Sequence, residues 1–174
     1  MDLITERLKL IPLRIEDIES SLNNLSNFYN EKHLKSKEKV LSDALYQVYR
    51  IKLKNMIADP ENYLFYTYWL IIKKDNNMIV GRIGFKNIAD DKGETELGYG
   101  INPNFRSKGY MTEALKKMIN WGFRQQLRPI KTIIAKTDKE NISSQKVLQK
   151  VGFEYKCISG DLLCWKLNNK ANNY

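Results

Sequence analysis

The segment Arg106-Ser107-Lys108-Gly109-Tyr110-Met111-Thr112 sets two cations, two small hydroxyl residues and a glycine between a run with strand character and a run with helical spacing. Backbone N–H groups at a helix start have no helical acceptor, and the helix dipole adds partial positive charge, so such a junction holds anions. Gly109 lets the backbone approach a phosphate closely, while Arg106 and Lys108 supply charge and Ser107 and Thr112 supply donors. One reading is a pyrophosphate cradle. The other is a plain turn with Gly109 in a left-handed conformation, and residue types alone do not separate the two.

Upstream, Glu96-Leu97-Gly98-Tyr99-Gly100-Ile101 alternates, which on an unbulged strand puts Glu96, Gly98 and Gly100 on one face. Two absent side chains beside one carboxylate leave room for a small molecule; alternatively, the glycines mark a bulge. Downstream, Asn141-Ile142-Ser143-Ser144 opens a helical stretch with asparagine at a favoured capping position. Tyr63, Phe65, Tyr66, Tyr68 and Trp69 read mostly as core, with one or two left to line a pocket. His33 lies among lysines and reads as solvated surface. Cys157 and Cys164 flank the turn signal Ser159-Gly160-Asp161 and are expected to face each other across a hairpin. Two cysteines build neither a disulfide framework nor a four-ligand zinc site, so no metal centre is expected.

The elements that must position these groups follow from periodicity. Residues 7–13 alternate as a first strand, and Ile15, Ile18, Leu22 and Leu25 share one helical face. Leu41, Ala44, Leu45, Val48 and Ile51 mark a second helix that stops before Asp59-Pro60. The apolar run 64–72 predicts a buried strand, Asp75-Asn76-Asn77 a turn, and 78–85 the returning strand. A strand is predicted over 94–101 and a helix with a stripe of Ala114, Leu115, Met118, Ile119 and Gly122. A strand over 130–136, a short helix around Val147, Leu148 and Val151, and strands over 153–157 and 162–167 complete the chain. Glycine is absent before Gly81, so the first half is expected to be helix-rich, and residues 168–174 are expected to fray. The pattern is α/β: a mixed sheet, antiparallel early, with a parallel pair near its middle.

With 174 residues, 43% hydrophobic and 28% charged, the chain reads as one globular domain. No apolar run reaches the ~20 residues of a membrane span, and the N-terminus lacks a signal-peptide pattern, so a cytoplasmic protein with no membrane partner is expected. The net charge of +9 suits an anionic partner. Its lysines are scattered without interleaved aromatics, which argues against nucleic acid.

Arg106-Ser107-Lys108-Gly109-Tyr110-Met111 resembles the acyl-coenzyme A signature Gln/Arg-x-x-Gly-x-Gly/Ala of the GNAT superfamily of N-acetyltransferases. The wider run 96–114, Asn141-Ile142-Ser143-Ser144, the closing Lys150-Val151-Gly152-Phe153 and the opening Thr5-Glu6-Arg7-Leu8 are similar to the branch of ribosomal-protein N-terminal alanine acetyltransferases. Met111 departs from the usual Gly or Ala, and its side chain must point away from phosphate. Gly100 stands where that branch often has tryptophan.

The resemblance implies the GNAT acyl-CoA N-acyltransferase fold, with the parallel pair splayed around a cofactor cleft and helices on both faces. It places acceptor-side elements in residues 1–75, the acetyl-CoA core at about 78–157 and closing strands to 167. It implies direct attack of a primary amine on the thioester through a tetrahedral intermediate. The acceptor is a protein N-terminal α-amine or a small-molecule amine. Cofactor binding falls to Tyr99, Gly100, Ile101, Arg106, Ser107, Lys108, Gly109, Tyr110, Met111, Thr112, Asn141 and Ser144, with the Ile101 N–H as oxyanion donor. Catalytic roles fall to Glu96, as base or else as a structural carboxylate, and to Ser144, as donor of the thiolate's proton; the tyrosine many relatives use is here Leu148. An idle acyl-CoA-binding sensor is the alternative, and the chain is expected as monomer or homodimer.

Overall fold

A computed structural model of the chain describes residues 1–126 and 128–169. Its strands are β1 (Leu3–Ile4), β2 (Leu8–Pro12), β3 (Trp69–Lys73), β4 (Ile79–Phe85), β5 (Glu94–Ile101), β6 (Thr132–Asp138), β7 (Glu154–Ser159) and β8 (Leu162–Asn168). Its helices are α1 (Ile15–Glu31), α2 (Asp43–Ala58), α3 (Tyr63–Tyr66), α4 (Tyr110–Phe123) and α5 (Ile142–Lys150). The strands form one sheet in the order β1-β2-β3-β4-β5-β6-β8-β7, and β5 with β6 is its parallel pair.

The sheet is covered on both faces. Met111, Ala114, Leu115 and Met118 of α4 and Leu148 of α5 pack with Leu97, Ile83 and Ile133 into one core. Ile18, Leu25 and Phe28 of α1 and Tyr49 and Met56 of α2 pack against Leu70 and Ile72 into another. Helix α2 is capped as its composition suggests: Ser42 Oγ accepts from the Leu45 N–H at 3.3 Å, and the helix ends at Ala58 before Asp59-Pro60. The cysteines behave as expected, with Cys157 and Cys164 opposite one another across the β7–β8 hairpin. His33 is exposed.

The strand expected over 64–72 is corrected. Pro60 opens a 3-10 turn, which runs into the single helical turn of α3, and the strand starts only at Trp69. The aromatic run favours a strand locally, but tertiary contacts override that preference. Phe65 stacks against Trp121 and Phe85 with ring centroids 5.1 and 5.6 Å apart. Trp69 Nε1–H donates to the Leu64 carbonyl at 3.1 Å, and Thr67 Oγ1–H to the Leu13 carbonyl at 2.7 Å. The expectation of fraying over 168–174 also needs correction at its start. Asn168 ends β8, and the Asn169 N–H donates to the Lys131 carbonyl; residues 170–174 lie outside those described.

Lys52 of α2 closes the end of α3. Its ammonium is buried over the Tyr68 ring and donates to the carbonyls of Tyr66, Phe85 and Thr67 at 2.7, 3.1 and 3.3 Å. Burial, with help from the like charge of Lys86, lowers its pKa to about 7, while three carbonyl acceptors pull towards the charged form. Lys52→Met strands those acceptors in the interior, so urea unfolding is expected to show a loss of roughly 1–3 kcal/mol. An unchanged midpoint would show that the carbonyls find other donors.

Candidate active site

Strand β5 pairs with β6 over its first half and with β4 over its second. Its register with β4 runs unbroken from Leu97 opposite Phe85 to Ile101 opposite Gly81, so its glycines mark no bulge against that neighbour. Its parallel pairing with β6 covers Glu94 with Thr132, Thr95 with Ile133 and Glu96 with Ile134, and then stops. From Ala135 onward β6 continues beside β8. The two parallel strands therefore part after Glu96.

The alternation of the strand says which groups this parting frees. The Glu96 carbonyl accepts from the Lys86 N–H at 2.8 Å, and the Asn102 N–H donates to the Val80 carbonyl at 2.9 Å. Even-numbered residues of β5 thus spend their backbone groups on β4. The Glu96–Ile134 pairing takes the Leu97 N–H, so the Leu97 carbonyl and the backbone groups of Tyr99 and Ile101 face the notch.

The basic loop lies at one end of this notch. After the 3-10 turn Pro103–Phe105, Ser107 and Gly109 take left-handed φ values of 59° and 77°, and α4 begins at Tyr110. Of the two readings left open by residue types, the left-handed conformation of Gly109 is present, immediately before the start of α4. Met111 is buried in the core below α4. A cavity of about 240 Å³ is lined by Tyr99 and Ile101 from β5, Arg106, Ser107, Gly109, Tyr110, Met111 and Thr112 from the loop, and Ser144 and Val147 from α5. Asn141 caps α5: its Oδ1 accepts from the Ser144 N–H at 3.1 Å and from Ser143 Oγ–H at 2.9 Å. The Tyr99 hydroxyl donates to the Ser144 carbonyl at 3.3 Å, and burial pushes the phenol pKa up to about 12. Leu148 is fully buried.

Of the residues singled out from the sequence, Gly100, Lys108, Asn141 and Glu96 do not line this cavity. Gly100 opens instead on the α1–α2 face, where a side chain would meet no atom within 4 Å. There, with Tyr99 and Ile101, it borders a second cavity of about 250 Å³, closed by Tyr68, Leu45, Arg82 and Glu38. Of the aromatic run, Phe65 and Trp69 are core and Tyr68 faces this cavity. Glu96 lies outside both cavities, ion-paired with Lys86 and, at 3.1 Å, with Lys136. Burial raises its pKa, but the hydrogen bonds from the two lysines outweigh that and hold the carboxyl below the usual range.

The sequence pattern described as the Acetyltransferase (GNAT) domain matches residues 7–154. The chain belongs to this family. Among curated relatives, the uncharacterized N-acetyltransferase YjdG of Bacillus subtilis (strain 168) is 39% identical over 97 residues, 56% of this chain and 56% of that protein. The uncharacterized N-acetyltransferase p20 of Bacillus licheniformis is 34% identical over 84 residues, 48% and 46% of the two chains. This chain thus matches about half the length of these curated relatives. Among solved structures, the ribosomal-protein-S5-alanine acetyltransferase of Vibrio fischeri is similar with a TM-score of 0.69 at 21% identity, covering 98% of this chain and 97% of that one. RimL, a ribosomal L7/L12 α-N-protein acetyltransferase solved with coenzyme A, gives 0.67 at 15% identity over 99% and 100%. At such identities the likeness establishes the fold, and it is the GNAT fold.

Residue-type reasoning missed the brace under the loop of this GNAT domain. Glu113, in the first turn of α4, accepts from Thr5 Oγ1–H at 2.6 Å, the Arg7 N–H at 2.9 Å and Arg7 Nε–H at 2.7 Å. Arg7 continues to the Lys108 carbonyl at 3.1 Å and stacks over the Tyr110 ring. Thr5-Glu6-Arg7-Leu8 was legible as an opening motif, but its partner 106 residues away was not. Burial raises the Glu113 pKa, and the donors from Thr5 and Arg7 overcome this and lower it. A carboxyl lowered on folding stabilises the fold above its unfolded pKa and loses that contribution as pH falls through the folded one. Glu113→Gln is therefore expected to reduce the urea midpoint at neutral pH, with a smaller deficit near pH ~3, below the unfolded carboxyl's pKa. Equal deficits at both pH values would contradict an ionised brace.

Proposed function

We propose that this chain transfers the acetyl group of acetyl-coenzyme A to a primary amine, either a protein N-terminal α-amine or a small-molecule amine. The observation that carries this reading is the parting of β5 and β6, which leaves the Leu97 carbonyl and the backbone groups of Tyr99 and Ile101 facing outward beside the start of α4 and the start of α5. An extended amide-bearing arm adds to such an edge as a further strand would. In this reading the arm of the substrate runs along Leu97, Tyr99 and Ile101, and the α4 loop from Arg106 to Thr112 takes its phosphates. The acceptor enters from the other face through the cavity that opens at Gly100. The names of RimL and of the Vibrio fischeri protein favour a protein N-terminus, though a shared fold does not fix the acceptor.

The amine attacks the thioester carbonyl directly. The Ile101 N–H, which β4 does not use, is the donor for the oxyanion, a role worth about 3–4 kcal/mol of barrier in comparable sites. The leaving thiolate takes its proton from Ser144, whose hydroxyl is restored through water by the proton that the attacking nitrogen releases. Tyr99, neutral across the working range, carries a second hydroxyl in the same cavity. Of the two readings open for Glu96, its pairing supports the structural one. A carboxylate flanked by two lysines and shifted downward is a weak base, and its position fits a clamp at the fork where the strands separate.

Thiol release from acetyl-CoA with N-terminal peptides, polyamines and aminoglycosides tests the activity. Release stimulated by one class is expected, and failure to bind acetyl-CoA would end the proposal. On the amine that reacts, Glu96→Gln is expected to keep kcat within about tenfold of wild type and to lower the melting temperature. A kcat loss of ~10²-fold or more in a fully folded variant would restore Glu96 as the base.

A further inference from the structure

The cavity on the α1–α2 face carries charge that the acetyl-transfer reading leaves unused. Arg82 of β4 stands directly opposite Gly100 in the β4–β5 register, and its guanidinium is almost wholly buried. Four contacts hold it: Nε–H donates to the Tyr49 hydroxyl at 3.0 Å, Nη2–H to the Tyr29 hydroxyl at 2.9 Å, Nη1–H to Glu38 Oε1 at 3.1 Å, and Nη2–H to Glu38 Oε2. Burial of the guanidinium works against its charge, but Tyr49, Glu38 and Tyr29 around it outweigh that and keep it charged.

Glu38 differs from Arg82 in one respect. Its side chain stays 36% exposed while Arg82's is 10% exposed. The pair is bidentate, which fixes the plane of the carboxylate, yet each carboxylate oxygen retains acceptor capacity on the side turned from Arg82. Glu38 also lines the cavity. Of the cavity's lining residues only Glu38 and Arg82 are charged, and Arg82 has spent four of its five N–H donors. The cavity therefore offers an incoming molecule one oriented anion and little cation in return.

We propose that Glu38, held by Arg82, docks the acceptor as an ammonium, and that the site selects amines with no carboxylate beside the amine. The inference rests on the acetyl-transfer reading and names its substrate class. A cation meeting Glu38 gains a charge-assisted hydrogen bond in a half-enclosed space floored by Gly100, where no side chain intrudes. An amino acid brings its own carboxylate within two bonds of the same nitrogen, next to Glu38, where like charges repel and no free guanidinium compensates. The docked ammonium releases one proton to water before the neutral amine attacks; Glu38 is a specificity residue in this account and makes no bond to the reacting carbonyl.

Matched pairs isolate the effect: alaninamide against alanine, tyramine against tyrosine, ethanolamine against serine. Thiol release at saturating acetyl-CoA gives kcat/KM for each member with wild type and with Glu38→Gln. The amines differ in basicity within a pair, but that difference is the same for both enzymes and cancels in the ratio of ratios. Wild type is expected to prefer the carboxylate-free member. Glu38→Gln is expected to raise that member's KM about tenfold or more, to shrink the preference by a similar factor and to leave acetyl-CoA affinity unchanged. Glu38→Asp restores part of the preference. Should Glu38→Gln misfold because Arg82 is left buried and unpaired, the double variant Glu38→Gln with Arg82→Met removes both charges and is read in the same way. Equal use of both members by wild type, no reaction with any pair while acetyl-CoA binds, or a preference that survives Glu38→Gln would each overturn the inference. Only a failure to bind acetyl-CoA strikes the acetyl-transfer reading itself.

Discussion

The architecture turns on the point where β5 and β6 stop pairing. A parallel pair inside a sheet normally satisfies every inward N–H and C=O, and buried backbone groups left unpaired are costly. Here the pairing ends at Glu96 and Ile134, and Glu96 sits between Lys86 and Lys136 at that fork. The three charges tie β5 to β6 and to the residue that follows β4. Beyond them, β6 is committed to β8, and the Leu97 carbonyl with the backbone groups of Tyr99 and Ile101 keeps one edge free for a ligand. The sheet stays continuous while it carries a binding slot.

Strand β5 then works as a partition. Tyr99 and Ile101 border both cavities, so whatever binds in the notch is one strand's thickness from whatever binds under α2. The two sides are built differently. The notch side uses helix starts and a left-handed loop, braced from below by Thr5, Arg7 and Glu113. The other side uses side chains from α1, α2 and the connection between them, gathered around one buried arginine. Backbone geometry suits a ligand whose phosphates and amides recur. Side chains suit a partner that varies.

What the sequence discloses follows that division. The α4 loop, the α5 cap and the alternation of β5 rest on contacts close along the chain, and their residue types announce them. Asn141 caps α5 and Gly109 takes a left-handed turn, as spacing alone suggests. The extent of β5 is read to the residue. The bracing of Glu113 and the Glu38–Arg82 pair join positions 106 and 44 residues apart, and a single chain carries no local signal of either. The aromatic run misleads for a related reason: its strand propensity is real, yet Pro60 and the packing of Phe65 under Trp121 turn its first half into a helix. Glu96 is the instructive case. Its position is legible, and its two lysine partners, which decide its chemistry, become visible only when three strands lie side by side.

Amide hydrogen exchange across β5, with and without acetyl-CoA, tests the central claim most directly, because it separates alternate residues of one strand. The account predicts that Tyr99 and Ile101 exchange faster than Leu97, Gly98 and Gly100 in the free protein. Acetyl-CoA should slow the Tyr99 and Ile101 amides and those at the start of α4, and leave the even-numbered ones unchanged. Binding of acetyl-CoA with no change at Tyr99 and Ile101 would contradict it and place the ligand outside the notch.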